Sequence, residues 1–260
     1  MSGLLDPAER SARGAALRAD ITGQTDTPAD LWDESWRDFI FAEVWSRPGL
    51  DRRARYLVAM AGAALAGAHA PTLDGYVRGA LRSGTLTLAE LREAALHLAV
   101  YGGWSRGGAL NEAIGRAARA LGLKAAETAP IRAEPWNPET RTAEGMATFE
   151  HVMTFPGGPS SSPCLEVIND FVFGELWRRP ALDQRARRWI TLVGVCESAT
   201  EIPIKSHVHA AMASGNCTPA EMREFVVQYG IHAGWPKASA IQAVVFEMSR
   251  KVAEGLPWNG

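Results

Sequence analysis

Cysteine is scarce in this chain, with only Cys164, Cys196 and Cys217 among 260 residues. An odd, sparse set builds no disulfide framework, and no two of them have CxxC spacing. A reducing, cytoplasmic setting is the expectation. Long apolar runs are lacking as well. The longest, Leu57 to Ala68, is interrupted by Gly62 and Gly67 and falls short of the about 20 residues that cross a bilayer. Met1 to Asp20 is polar and charged, without a signal peptide's apolar stretch. There is no excess of basic charge: 27 Lys and Arg face 29 Asp and Glu, for a net charge of −2. That balance argues against a nucleic-acid partner and gives no support for a membrane surface. HExxH and cysteine clusters are missing, so no metal is expected. Gly102-Gly103 and Gly107-Gly108 lack the strand-to-helix context of a phosphate loop.

What the chain does contain is itself, twice. Hydrophobic residues make up 47% of it, enough for a substantial core. The segment DFIFAEVWSRPGLDRRAR from Asp38 recurs as DFVFGELWRRPALDQRAR from Asp170. Trp45 meets Trp177, Arg47 meets Arg179, Asp51 meets Asp183 and Arg55 meets Arg187. Further on, Tyr76 aligns with His207, Glu93 with Glu224, and Gly103-Trp104 with Gly234-Trp235. A fixed period of self-similarity is the mark of a repeated module. The expected organisation is a first copy at 1–123, a Pro-containing linker at 124–137 and a second copy at 138–260.

Nearly every segment has helical spacing. Trp36 to Trp45 places apolar residues at helical intervals and stops at Arg47-Pro48. Asp51 and Asp183 suit N-caps. Thr87 with Glu90, and Thr218 with Glu221, have capping-box spacing. Helices are expected to about Ala68, over Leu73 to Ser83, over Leu88 to Tyr101 and over Gly108 to Leu121. No alternating run of strand length appears, so the predicted class is all-α.

The succession W-x-R-P-x-L-D-x-R-x-R, H-V-x-x-A, T-x-x-E-x-R-E and then G-W resembles the carboxymuconolactone decarboxylase family and its alkylhydroperoxidase D-like fold. The resemblance spans nearly the whole chain, in two copies. It implies a duplicated alkylhydroperoxidase D-like module, assembled as a homotrimer. It also implies a cofactor-independent decarboxylase of a carboxylated lactone or a related aromatic ring-cleavage product. A small-molecule carboxylate or lactone would then be the partner. Isomerisation or hydrolysis of a related lactone, and a non-catalytic oligomeric binding protein, remain alternatives. The family's peroxidase branch carries a thiol pair seven and four residues before its histidine. Here those positions hold Thr200 and Pro203, and in the first copy His69 and Thr72, which counts against dithiol peroxide reduction.

The copies diverge where chemistry is expected. The resemblance places the family's histidine at His207, where the first copy has Tyr76. The second copy has His232 where the first has Tyr101, and the first has His97 where the second has Gln228. His207 and His209, about 200° apart on a helix, cannot share one ligand. A pocket mainly on the second copy is the simplest arrangement, and a composite of both copies is the close alternative. In that pocket His207 would donate or accept the proton, and His232 would stabilise oxyanion charge. Glu197 and Glu201 are candidate acids or histidine-orienting carboxylates, with solvated positions as the alternative. Candidate substrate contacts are Arg187, Tyr76, Cys196 and Trp235. Cys196 suits a core position equally. Arg55 and Arg187 suit structural ion pairs with Glu43 and Glu175.

Overall fold

The computed structural model describes residues 6–68, 70–131, 137–198 and 200–260. His69 and residues 132–136 of the expected linker lie outside them. Among the described residues every regular element is a helix. The first half holds α1 (Pro7–Thr22), α2 (Leu31–Ser35, continuing into wide π-type turns over Trp36–Trp45), α3 (Arg52–Ala66), α4 (Ala70–Arg82), α5 (Leu88–Gly102) and α6 (Trp104–Ala120). The second half holds α7 (Pro138–Met153), α8 (Pro163–Val167, continuing into π-type turns over Ile168–Phe173), α9 (Gln184–Ser198), α10 (Glu201–Ala213), α11 (Pro219–Ala233) and α12 (Trp235–Ala253). A 3-10 turn at Leu176–Arg178 precedes α9. None of these helices is long and apolar enough to cross a membrane.

Local chemistry sets the helix ends. The Asp51 carboxylate accepts from the Ala54 amide, and Asp183 does the same for Ala186, both at 2.8 Å. Both capping boxes form, with the Thr side chain accepting from the Glu amide and the Glu carboxylate accepting from the Thr amide. The helix expected from Gly108 starts four residues earlier, at Trp104. Gly103, at φ 93°, turns the chain in a conformation open to glycine, so α6 needs no loop before it.

The centre of the core is the pair α3 and α9, which pack on each other. Both are buried on nearly all sides, Ala54 to Ala64 on one and Ala186 to Cys196 on the other. Each is covered by a helix from the opposite half: α11 lies on α3, and α5 lies on α9. The halves therefore interlock rather than sit side by side. Ion pairs follow the exchange. Arg47 and Arg55 meet Glu224 at 2.6 and 3.3 Å, and Arg179 and Arg187 meet Glu93 at 2.7 and 3.4 Å. The expected pairs Arg55–Glu43 and Arg187–Glu175 do not form. Glu43 is taken by Arg10 and Glu175 by Arg141, because α1 and α7 pack on the π-type turns that carry Glu43 and that end just before Glu175.

Candidate functional site

The interlocked packing creates two ring clusters, each with one imidazole and one phenol. In the first, Tyr76 on α4 meets His232 on α11, ring centres 5.8 Å apart and planes at 86°. In the second, His207 on α10 meets Tyr101 on α5, at 5.6 Å and 88°. The two positions carry Tyr and His in one cluster and His and Tyr in the other. Each pair joins opposite halves of the chain. Close backbone approach allows this: Gly62 of α3 faces the His232 ring, and Gly194 of α9 faces Tyr101.

The first cluster opens on a cavity of about 680 Å³. Trp36, Phe41, Tyr76 and His232 form its apolar side, and Arg18, Thr22, Gln24, Asp26 and Asp33 its polar side. The His232 ring is half-buried, and its Nε2 has no hydrogen-bond partner. Burial lowers its pKa to about 4, so at neutral pH it is an uncharged imidazole. The Tyr76 hydroxyl is buried and likewise unpartnered, and burial pushes its pKa well above the ordinary phenol value. Arg18 is held loosely, at 3.3 and 3.2 Å from the Asp26 carbonyl and carboxylate. The cavity thus offers a neutral base, a phenol donor and an exchangeable cation beside an apolar wall.

The second cluster is closed and more crowded. Trp177 donates its indole N–H to the Tyr101 oxygen at 2.8 Å. His97 packs edge-on to Trp177, with ring centres 4.8 Å apart, and its Nε2 shares a 2.8 Å hydrogen bond with the Thr191 hydroxyl. Burial, with the charge of Arg188 second, lowers the His207 pKa to about 3. Burial also depresses that of His97. Burial raises Tyr101 to about 12.

His207 and His232 therefore do not converge on one hollow, because the ring on α10 meets Tyr101 of α5 while the ring on α11 meets Tyr76 of α4. Tyr76 and His232 line the cavity; the other candidates are elsewhere. Arg187 is fully buried, its Nε on the Leu182 carbonyl and its Nη2 on the Arg179 carbonyl and Glu93. Glu197 accepts from the Tyr229 hydroxyl at 2.6 Å and pairs with Lys237 at 2.8 Å. Glu201 is exposed and pairs with Lys205 one turn on. Cys196 is a core residue whose thiol is pushed up by burial, and it does not line the cavity. Trp235 is 47% exposed and packs edge-on to Phe39, on the surface beyond the Gly234 turn. Among the described residues no group of His, Cys, Asp or Glu is arranged to hold a metal.

The cavity residues Arg18, Trp36 and Gln24 were missed from sequence, as was Arg188 of the second cluster. Their only signal was position: they are the charged or bulky residues where the two copies do not match. His97 was noticed as a difference between copies, without a partner.

Comparison with known proteins bears on the half that supplies most of the cavity wall. The sequence model described as the carboxymuconolactone decarboxylase family matches residues 31–115. A nitrosuccinic acid decarboxylase from Metarhizium robertsii is 30% identical over 87 residues, covering 34% of this chain and 59% of that protein. This chain thus spans less than two thirds of the fungal relative. A 4-carboxymuconolactone decarboxylase from Acinetobacter baylyi is 28% identical over 123 residues, covering 43% of this chain and 89% of the bacterial one. The segment that holds Trp36, Trp45 and Tyr76 is thus similar to the carboxymuconolactone decarboxylase family.

Proposed function

We propose that the chain is a cofactor-independent decarboxylase of a small carboxylic acid, working in the cavity at Tyr76 and His232. The observation that carries this reading is the unpartnered pair itself: a buried phenol and an uncharged imidazole at the edge of a 680 Å³ cavity. The substrate enters as a carboxylate beside an electron sink, a lactone carbonyl or a nitro group. The bond to the carboxylate carbon breaks, CO₂ leaves, and the electron pair moves onto the sink as an enolate or nitronate. The Tyr76 hydroxyl donates to that developing charge. Substrate anion in the cavity raises the proton affinity of His232, and the resulting imidazolium returns a proton to carbon. Arg18 exchanges Asp26 for a second, retained anionic group. The Trp36 and Phe41 wall keeps water from the departing carboxylate.

The same reading takes 1–123 and 138–260 as two copies of one module joined by 124–137, assembled as a trimer. Recurrent caps and helix order support the duplication, and the mass of the purified particle by light scattering tests the trimer. The activity is tested by CO₂ release from 4-carboxymuconolactone and from nitrosuccinate. Replacing His232 with Ala should lower turnover by about 10²-fold or more, and Tyr76→Phe by about 10-fold or more. Full turnover in His232→Ala would remove the cavity from the reaction. Lactone opening or double-bond migration without CO₂ would replace decarboxylation with hydrolysis or isomerisation.

A further inference from the structure

The second cluster contains a buried cation that no carboxylate neutralises. Arg188 on α9 is 0% exposed. Its Nη2 donates to the Val152 carbonyl at 2.5 Å, and its guanidinium lies 5.3 Å from the centre of the Trp177 ring. Its Nε and Nη1 have no partner, and the neighbouring His207 Nδ1 has none either. Among the described residues no ion pair reaches it. Leaving donors and a charge unmet in the interior is costly. Burial already lowers its pKa to about 10.

The first half shows that the fold does not need this charge. At the matching place on α3 stands Tyr56, whose hydroxyl donates to the Ile21 carbonyl at 2.8 Å. Ile21 ends α1 as Val152 ends α7, so one neutral donor suffices to tie the helix end to the core. Arg188 does that task and brings two further donors and a positive charge. The surroundings suit a small anion with a flat face: the Trp177 ring on one side, and His207 and His97 with lowered proton affinity and no negative charge. A surface depression of about 410 Å³ lies outside the cluster, lined by Thr148, His151, Val152, Trp177, Arg178 and Gln184; two of these, Val152 and Trp177, touch the guanidinium.

We propose that Arg188 and His207 form a binding site for a small carboxylate, separate from the cavity at Tyr76 and His232. The two anion-handling places of each chain are then unequal: one open and neutral, the other closed and cationic. Nothing in this inference depends on the decarboxylation reading.

The test uses formate as the probe, titrated calorimetrically into the Arg18→Ala, His232→Ala protein, so that the first cavity has lost both its cation and its imidazole. Saturable binding should persist there and weaken roughly tenfold or more when Arg188→Tyr, the residue of the first half, is added. Chloride at equal ionic strength should not compete. In the intact protein, ¹⁵N resonances of the Arg188 Nε and the His207 ring should shift on adding formate, which keeps the question answerable even if Arg188→Tyr fails to fold. Equal formate binding in both variants overturns the site, as does absence of saturable binding. Equally strong competition by chloride overturns the carboxylate assignment. Loss of decarboxylation with formate binding intact would sink the proposed function and leave this site standing.

Discussion

The two ring clusters share a phenol and an imidazole in near-perpendicular contact with a tryptophan behind, Trp45 or Trp177, and they differ in the other residues behind that pair. Behind Tyr76 and His232 are Tyr56, Trp45 and Gln228, with an open cavity in front. Behind Tyr101 and His207 are Arg188, Trp177 and His97. The lesson is that duplication need not yield two equal sites. The pairing geometry was kept and the backing residues were changed, so one place gained volume and the other gained charge. The same asymmetry runs through the ion pairs. Arg179 is additionally gripped by the Pro130 and Ala129 carbonyls of the joining segment, at 2.5 and 2.8 Å, while Arg47 has no such cover and its side chain is 41% exposed.

The sharpest break of that comparison is at the two glutamates. Glu93→Ala leaves Arg179 and Arg187 buried without a counter-charge and should cost about 3–5 kcal/mol. Glu224→Ala acts on a more exposed pair and should cost about 1–3 kcal/mol. Urea unfolding of both variants measures the difference, and equal losses would show that the joining segment does not bury one pair more deeply.

Acid should expose the imidazoles next. The folded pKa values of His207 and His232, about 3 and about 4, lie below the unfolded value of 6.5. Between those limits the unfolded chain binds more protons, so stability is full above pH 6.5 and falls as the pH drops through the window. At pH 4 the cost from His207 is about 3 kcal/mol. That of His232 is smaller, because its ring meets the cavity. His207→Gln should flatten the acid limb of stability against pH down to about 3, and His232→Gln only to about 4. Identical limbs for the two variants would place both rings in equivalent surroundings.

These differences mark how far the sequence could be read. Helices were legible because capping residues, apolar spacing and glycine stops act locally, within a turn or two of Asp51, Thr87 or Gly67. The recurrence of those signals in the second half was equally plain. Pairing was not. Apolar spacing on α5 and α11 states which face is buried but not which helix covers it, and so Arg55 and Arg187 were matched to Glu43 and Glu175 instead of Glu224 and Glu93. His207 and His232 were placed together for the same reason. A hint did exist: the first copy has Tyr at both positions, Tyr76 and Tyr101, and the second has His at both, His207 and His232, so one of each falls in every cluster only if the halves cross over. Arg188 stayed hidden because its counterpart is Tyr56, and an unmatched position in a repeat reads as surface drift until its burial is known.

Close packing gives a smaller contrast. A methyl group at Gly194 would sit 2.5 Å from Tyr101 Cβ, with the Tyr101 backbone at 3.2 Å, whereas at Gly62 it would meet only the His232 ring, at 3.3 Å. Gly194→Ala must push α5 bodily and should cost about 1–3 kcal/mol; Gly62→Ala should cost less and shift mainly the imidazole. Thermal unfolding and the His232 ring resonances separate the two effects. A larger loss at Gly62 would mean that the first cluster, not the second, is the tighter one.

The smallest effect is also the control. The capping boxes at Thr87 and Thr218 have the same geometry, each Glu amide 3.2 Å from the Thr hydroxyl, and each Glu carboxylate also holds an arginine, Arg53 or Arg185. Neither box touches a ring cluster. Thr87→Ala and Thr218→Ala should therefore each cost about 1 kcal/mol, and the double variant should show their sum. If the losses match, the scaffold is symmetric where chemistry is absent, and the asymmetry of the two clusters belongs to the clusters alone. If they differ by more than about 0.5 kcal/mol, the halves contribute unequally to stability from their helix ends inward, and the contrasts at the glutamates and glycines must be measured against that background.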